Sequence, residues 1–157
     1  MAETTTTSSK SEIRDVLEAL DEQVGHYRRL AKLAQIQHAH VQQNQTEALL
    51  DVLKSRQEVL SEIGRLEHVV APAKREWRGF VEGVQAQERG RAEALMSEAK
   101  QLLEAITRSD QNDALVLQQR KLNLGRQINQ ASAARQVNRN YAAAAYGNAG
   151  SRMDVQQ

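Results

Sequence analysis

The chain has 157 residues, enough for one domain, with 40% apolar and 26% charged residues. Aromatics are only 3%, and Ala, Leu, Gln, Glu and Arg, all strong helix formers, dominate, which excludes a β-sandwich or barrel. The absence of cysteine excludes disulfides and thiolate metal sites and fits a reducing compartment, and a net charge of +1 gives no overall pull toward nucleic acid.

Residues 1–10 are Thr/Ser-rich and polar, which reads as a disordered tail and not as a signal peptide. Ser11 suits an N-cap, with Glu12 and Asp15 in the first turn where the helix dipole favours acids. Ile13, Leu17, Leu20, Val24, Tyr27, Ala31, Ala34 and His38 then recur at alternating steps of 4 and 3. This is a heptad seam, and at 1.5 Å per residue it spans on the order of 40 Å and needs a partner helix.

The polar segment His40 to Gln45 predicts a hairpin turn, with Asn44 and Glu47 as a variant capping box. A second seam carries Leu49, Leu53, Leu60, Ile63 and Val70, with Val52 and Val59 alongside. Arg56 and Glu67 fall on the same seam, where charges snorkel outward or loosen packing. Two long seams joined by a short turn predict antiparallel pairing.

Pro72 is expected to end or kink this helix near Val70–Ala71. Trp77, Val81, Val84, Ala92, Leu95, Ala99, Leu102 and Ile106 share one helical stripe, in phase with Val59, Ile63, Leu66 and Val70, so one kinked helix stays an alternative to two. Gly79, Gly83 and Gly90 weaken the region by roughly 1 kcal/mol each, and mobility is expected there. Ser109, Asp110, Asn112 and Asp113 predict a further break, with Asp110 as N-cap. The last helix has Leu115 and Leu122 on one side and Leu117, Leu124, Ile128 and Ala131 on nearly the opposite side.

The expected fold is all-α: a long antiparallel coiled-coil hairpin or elongated bundle of three to four helices. The helices are placed at about 12–42, 46–70, 73–108 and 112–140, in a single domain over 11–140, with disordered tails at 1–10 and 141–157. Charge is uneven along it. Residues 1–119 hold 15 basic and 19 acidic residues, and residues 120–157 hold 6 basic and 1 acidic, so a basic end follows an acidic body. That end is either a partner-facing segment or a solvated one.

Little in the sequence carries chemistry. His38 and His40, two apart, point about 200° apart on a helix, whereas a helical zinc site needs spacings of 3 or 4; His26 and His68 are isolated. No nucleophile signature or phosphate loop is present, and pairs such as Glu18/Glu22 and Glu58/Glu62 read as solvated helix faces. The expectation is a protein that is no enzyme and takes no metal or cofactor. Arg120, Lys121, Arg126, Arg135 and Arg139 do not fall on a single face and lack aromatic interleaving, which weighs against nucleic acid. The longest apolar run, Tyr141 to Tyr146, is far short of the ~20 residues of a membrane span. What remains is amphipathic surface: the two stripes of the last helix, and Leu30 and Leu33 off the first seam. These serve either as anchors for a client helix or as core in a four-helix bundle or homodimer.

A family resemblance bears on this. The stretch Glu47-Ala-Leu-Leu-Asp-Val-Leu-Lys-Ser-Arg-Gln-Glu-Val-Leu60 is followed by Ile63 and Leu66-Glu67, then by Pro72 with Trp77 a few residues on. Leu102-Leu103-Glu104-Ala105-Ile106 leads to Asp110, and Val137-Asn138-Arg139 with Tyr141 precedes Ser151-Arg152-Met153-Asp154. Over about residues 12–154 this resembles the FlgN-like family of flagellar export chaperones; the Gln-rich stretch Gln35 to Gln45 departs from that pattern. The resemblance implies a cytoplasmic, non-enzymatic protein, a monomer or weak homodimer, that holds the terminal helical region of hook–filament junction proteins. Such a protein prevents premature assembly and delivers its client to the gate and ATPase of the type III export apparatus. It implies client contact at Leu115, Leu117, Leu122, Leu124, Ile128, Val137 and Tyr141, with Tyr141 also meeting the export gate. A self-assembling coiled-coil structural or adaptor protein is the alternative.

Overall fold

The computed structural model describes residues 2–154, and the side chains of residues 9–146. Among these the chain is all-α, with helices α1 (Ala2–Gln42), α2 (Thr46–Arg75), α3 (Trp77–Glu82) and α4 (Ala86–Asp154) and no strand. The tails expected at 1–10 and 141–157 fall largely outside the described side chains; over 9–10 and 141–146 the chain is helical. The chain divides into two compact units, Met1–Ala114 and Leu115–Gln157. The physical reason is burial: among the described residues, Asp113 is the last buried side chain.

In the first unit, α1 and α2 are joined by a turn at 43–45. Asn44 adopts the left-handed conformation, φ 56°, its N–H donates to the Val41 carbonyl, and the Gln45 N–H donates to the His40 carbonyl. That is a Schellman ending for α1, with Asn44 tolerated at the left-handed position that usually takes glycine. Asn44 therefore closes α1 and does not cap α2. The N-cap of α2 is Gln45, which makes no capping side-chain bond; its Oε1 lies 2.7 Å from His40 Nδ1 instead.

Cross-helix contacts give the directions. Gln23 meets Glu67 and Gln37 meets Arg56, so α2 descends as α1 rises and the pair is antiparallel. Asp21 pairs with Arg91, Arg28 with Glu98 and Gln37 with Asp113, so α4 runs parallel to α1 along this stretch. Three helices thus share one core: Leu20, Val24, Tyr27, Leu30 and Ala34 from α1, Val59, Ile63, Leu66 and Val70 from α2, and Leu95, Ala99 and Ile106 from α4. Because α1 packs against two neighbours, it buries a second row that includes Ala19, Gln23, Leu30, Gln37 and Val41 beside the heptad seam.

The α2 seam differs from the expected one. Val52, Val59, Ile63, Leu66, Val70 and Ala73 are buried, while Leu53 and Leu60 are exposed. Ile63 and Val70 fall where expected, as does the stripe of Val59, Ile63, Leu66 and Val70; Leu53 and Leu60 are left outside because α2 packs against α1 and α4 together. Pro72 lies inside α2, which continues to Arg75, so it does not end the helix at Val70–Ala71. The break comes at Glu76 (φ −116°, ψ 46°), followed by the six residues of α3, whose Trp77 and Phe80 rings stack with centroids 5.5 Å apart. The Gly83 N–H donates to the Gly79 and Phe80 carbonyls, closing α3 before α4 begins at Ala86.

The break expected at Ser109–Asp113, with Asp110 as N-cap, does not occur: α4 passes through it without interruption. Ile106 and Asp113 are one heptad apart on the α4 seam, and Asp113 is as deeply buried as the aliphatic core. Its Oδ2 accepts from Gln37 Nε2 at 3.2 Å, and its Oδ1 lies 2.7 Å from His38 Nδ1. Asp110 takes a two-pronged bond from Arg56, at 2.6 and 2.7 Å. These side chains find partners on neighbouring helices and so have no need to cap a helix start. Arg56, expected to snorkel, is paired inward.

A second polar layer crosses the hairpin at Gln23. Its Nε2 donates to Glu67 Oε2 at 2.7 Å and to the Ile63 carbonyl at 3.3 Å, and Lys74 Nζ sits 2.9 Å from the same Glu67 oxygen. Burial alone would raise the Glu67 carboxyl, but the hydrogen bonds from Lys74 and Gln23 outweigh it and bring its pKa below the ordinary value. Burial, and then the neighbouring Glu67 charge, push the Tyr27 phenol upward.

Candidate protein-binding surface

The second unit is the helical stretch of α4 from Leu115 onward. A helix in water buries an apolar stripe against something, and this stretch has two. Leu115, Leu117, Leu122, Leu124, Ile128, Val137 and Tyr141 are all exposed, from 41% at Leu117 to 74% at Tyr141. Tyr146 is exposed as well. Exposed apolar residues scattered singly are ordinary, but here seven fall within 27 residues of one helix, and six of them form two lengthwise rows.

At 100° per residue, Leu117, Leu124 and Ile128 lie within about 40° of one another. Leu115, Leu122 and Val137 form the opposite row, and Tyr141 lies outside both. The residues expected to bind a client therefore do not converge on one patch. Two opposite rows allow two partner helices, or one partner that uses one row. From residue 115 to 146 the sequence has five basic residues and no acid, so both rows sit in a positive field.

A different surface in the first unit is absent from the sequence reading. An open groove of about 810 Å³ runs along α4 beside Tyr27 and Lys74. Met96, Ala99 and Leu103 form its apolar floor, and Lys100, Glu104 and Arg108 stand along it. The groove follows from where α4 docks on the hairpin, which no single-helix pattern specifies. Leu103 is its one exposed large aliphatic residue, so it offers less apolar area than the rows of the second unit.

Charged side chains are directed at each other: Arg56 at Asp110, Arg28 at Glu98, Lys74 at Glu67. The hydrogen bond from Arg28 lowers the Glu98 pKa and that to Asp110 raises the Arg56 pKa, as structural ion pairs do. Glu22, His26 and Glu62 bring three possible metal-ligand atoms within 4.8 Å of one another. Arg65 lies 3.3 Å from Glu22 and 3.0 Å from Glu62, so both carboxylates of that cluster already have a cationic partner. No described helix is long and apolar enough to cross a membrane. No protein-family model, no curated protein and no solved structure matches this chain.

Proposed function

We propose that this chain is a non-enzymatic binding protein that captures an amphipathic helical segment of a client protein on the second unit of α4. The observation that carries the reading is the exposure of Leu115, Leu117, Leu122, Leu124, Ile128 and Val137 on a helix that, among the described residues, has no buried side chain beyond Asp113. Each leucine that a partner covers contributes roughly 1.5–3 kcal/mol. Several such residues, less the entropy of association, correspond to micromolar-to-nanomolar affinity, tight enough to hold a client and weak enough to release it. No nucleotide chemistry is needed.

The resemblance in sequence to FlgN-like chaperones supports a more specific form of the reading. In that form the protein works in the cytoplasm, holds the terminal helices of hook–filament junction proteins, and passes them to the type III export gate and ATPase. Tyr141, 74% exposed, is then the residue offered to the gate. The test is capture of purified terminal segments of hook–filament junction proteins by the full chain and by the Leu117→Gln/Leu124→Gln/Ile128→Gln variant. Loss of capture with unchanged far-UV circular dichroism supports the reading. Undiminished capture both by this variant and by Leu115→Gln/Leu122→Gln/Val137→Gln overturns it, and so does failure of the unaltered chain to bind any such segment.

The alternative, a self-assembling coiled-coil structural or adaptor protein, draws on the same exposed rows. Light scattering separates the two. A client-binding chaperone runs as a monomer or weak dimer, whereas a scaffold forms a stable oligomer that the same triple variant dissolves.

A further inference from the structure

We infer that the Leu117–Leu124–Ile128 row takes an acidic amphipathic helix, and that basic side chains along this row select it by charge. The inference rests on the binding role proposed above and adds which row binds and what the partner's flanks carry. Lys121, Arg135 and Arg139 fall within about 40° of this row's centre line at 100° per residue, and Arg120 borders its other side. Arg126 is the single basic residue of the opposite row, beside Leu122. Charge is therefore concentrated along one of two rows that are otherwise similar in apolar content.

Leu117, Leu124 and Ile128 are spaced 7 and 4 apart, the stepping that sets knobs into a facing helix, and all three are exposed. Cations beside such a seam pair with acidic flanking positions of the partner and set its identity more than its affinity. The same cations would draw a nucleic acid, but phosphates would leave these three aliphatic side chains wet, and Tyr146 is the one described aromatic near this arc. A membrane surface fits less well, because a helix lying in the interface needs one apolar side, and here Leu115, Leu122 and Val137 would remain in water on the other.

The experiment uses the full chain and two synthetic helical peptides of about three heptads, identical in their leucine seam, one flanked by Glu and the other by Lys. Fluorescence anisotropy should show the Glu peptide binding at least about tenfold more tightly at low salt, with the difference shrinking as salt shortens the Debye length toward roughly 3 Å. Lys121→Glu/Arg135→Glu/Arg139→Glu should invert the preference, and Arg126→Glu should leave it in place. Equal binding of the two peptides, binding of neither, or tighter binding of a single-stranded oligonucleotide or a phosphatidylserine vesicle than of the Glu peptide overturns the inference. Capture of the junction-protein segments that depends on Leu117, Leu124 and Ile128 but is indifferent to charge and salt overturns this inference alone. Capture indifferent to those three residues but lost in Leu115→Gln/Leu122→Gln/Val137→Gln likewise overturns this inference alone, and capture indifferent to both rows overturns the wider reading as well.

Discussion

Arg56 on α2 and Asp110 on α4 are joined by two parallel hydrogen bonds, of 2.6 and 2.7 Å, at the level where all three seams turn polar. The Arg56 Nη1 also donates to Gln37 Oε1 at 2.6 Å, and Gln37 in turn donates to the buried Asp113. The partners come from all three helices, so the set is satisfied at only one axial alignment of α1, α2 and α4. Such a layer specifies register, as polar residues at seam positions do in coiled coils.

Removing Arg56 should therefore cost more than an exposed ion pair would. Arg56→Ala leaves Asp110 and Gln37 Oε1 without their donor, and a loss of about 2–3 kcal/mol is expected. The Arg56 side chain is 11% exposed and that of Asp110 37%, which keeps the figure below that for a fully buried pair. Urea unfolding followed by circular dichroism measures it; an unchanged midpoint would mean that the layer adds nothing to stability.

Two leucines of α2 test where its seam lies. Leu66 is 3% exposed and Leu60 43%. Leu66→Ala should destabilise by about 2–5 kcal/mol through lost burial and the cavity left behind, whereas Leu60→Ala should cost about 1 kcal/mol or less. A reversed order in thermal melts would place Leu60 on the buried seam and Leu66 off it.

Gly25 and Gly64 lie inside helices, and a Cβ added at either meets no atom within 4 Å. Gly25→Ala and Gly64→Ala should each raise stability by about 0.5–1 kcal/mol, by reducing the freedom of the unfolded chain. An increased urea midpoint with an unchanged slope is the expected signature.

Acid should weaken the hairpin through Glu67. Its folded pKa lies below the ordinary value, because the bonds from Lys74 and Gln23 outweigh burial. A lowered folded pKa means that the unfolded chain takes up the proton first. The contribution is therefore complete above the unfolded carboxylate pKa and is lost as pH falls through the folded one. Unfolding at neutral pH and at successively more acidic pH should show a steeper loss for the unaltered chain than for Glu67→Gln.

The helical character, the turn after Gln42 and the two apolar rows beyond Asp113 were legible in the sequence because each is a local matter. Helix propensity belongs to the residue, and a heptad is visible in one strand of text. The seam of α2 was misread because Leu53 and Leu60 are more apolar than their neighbours, and hydrophobicity alone chose them. That Val52 and Val59 are covered while Leu53 and Leu60 are not depends on the other helices that pack against α2.

The same distinction holds for the polar residues. In isolation, Asp110 and Asp113 are good helix starters, and Arg56 and Glu67 are flaws in a seam. What they become depends on partners 54 to 76 residues away for Arg56–Asp110 and Gln37–Asp113 and 44 away for Gln23–Glu67. Sequence by itself determined that this chain is helical and where it is amphipathic, since periodicity and propensity act within a few turns. Only the tertiary structure decided which charges are buried in pairs, where α4 passes without a break, and which stripes are covered, because each depends on what another helix brings to the same level.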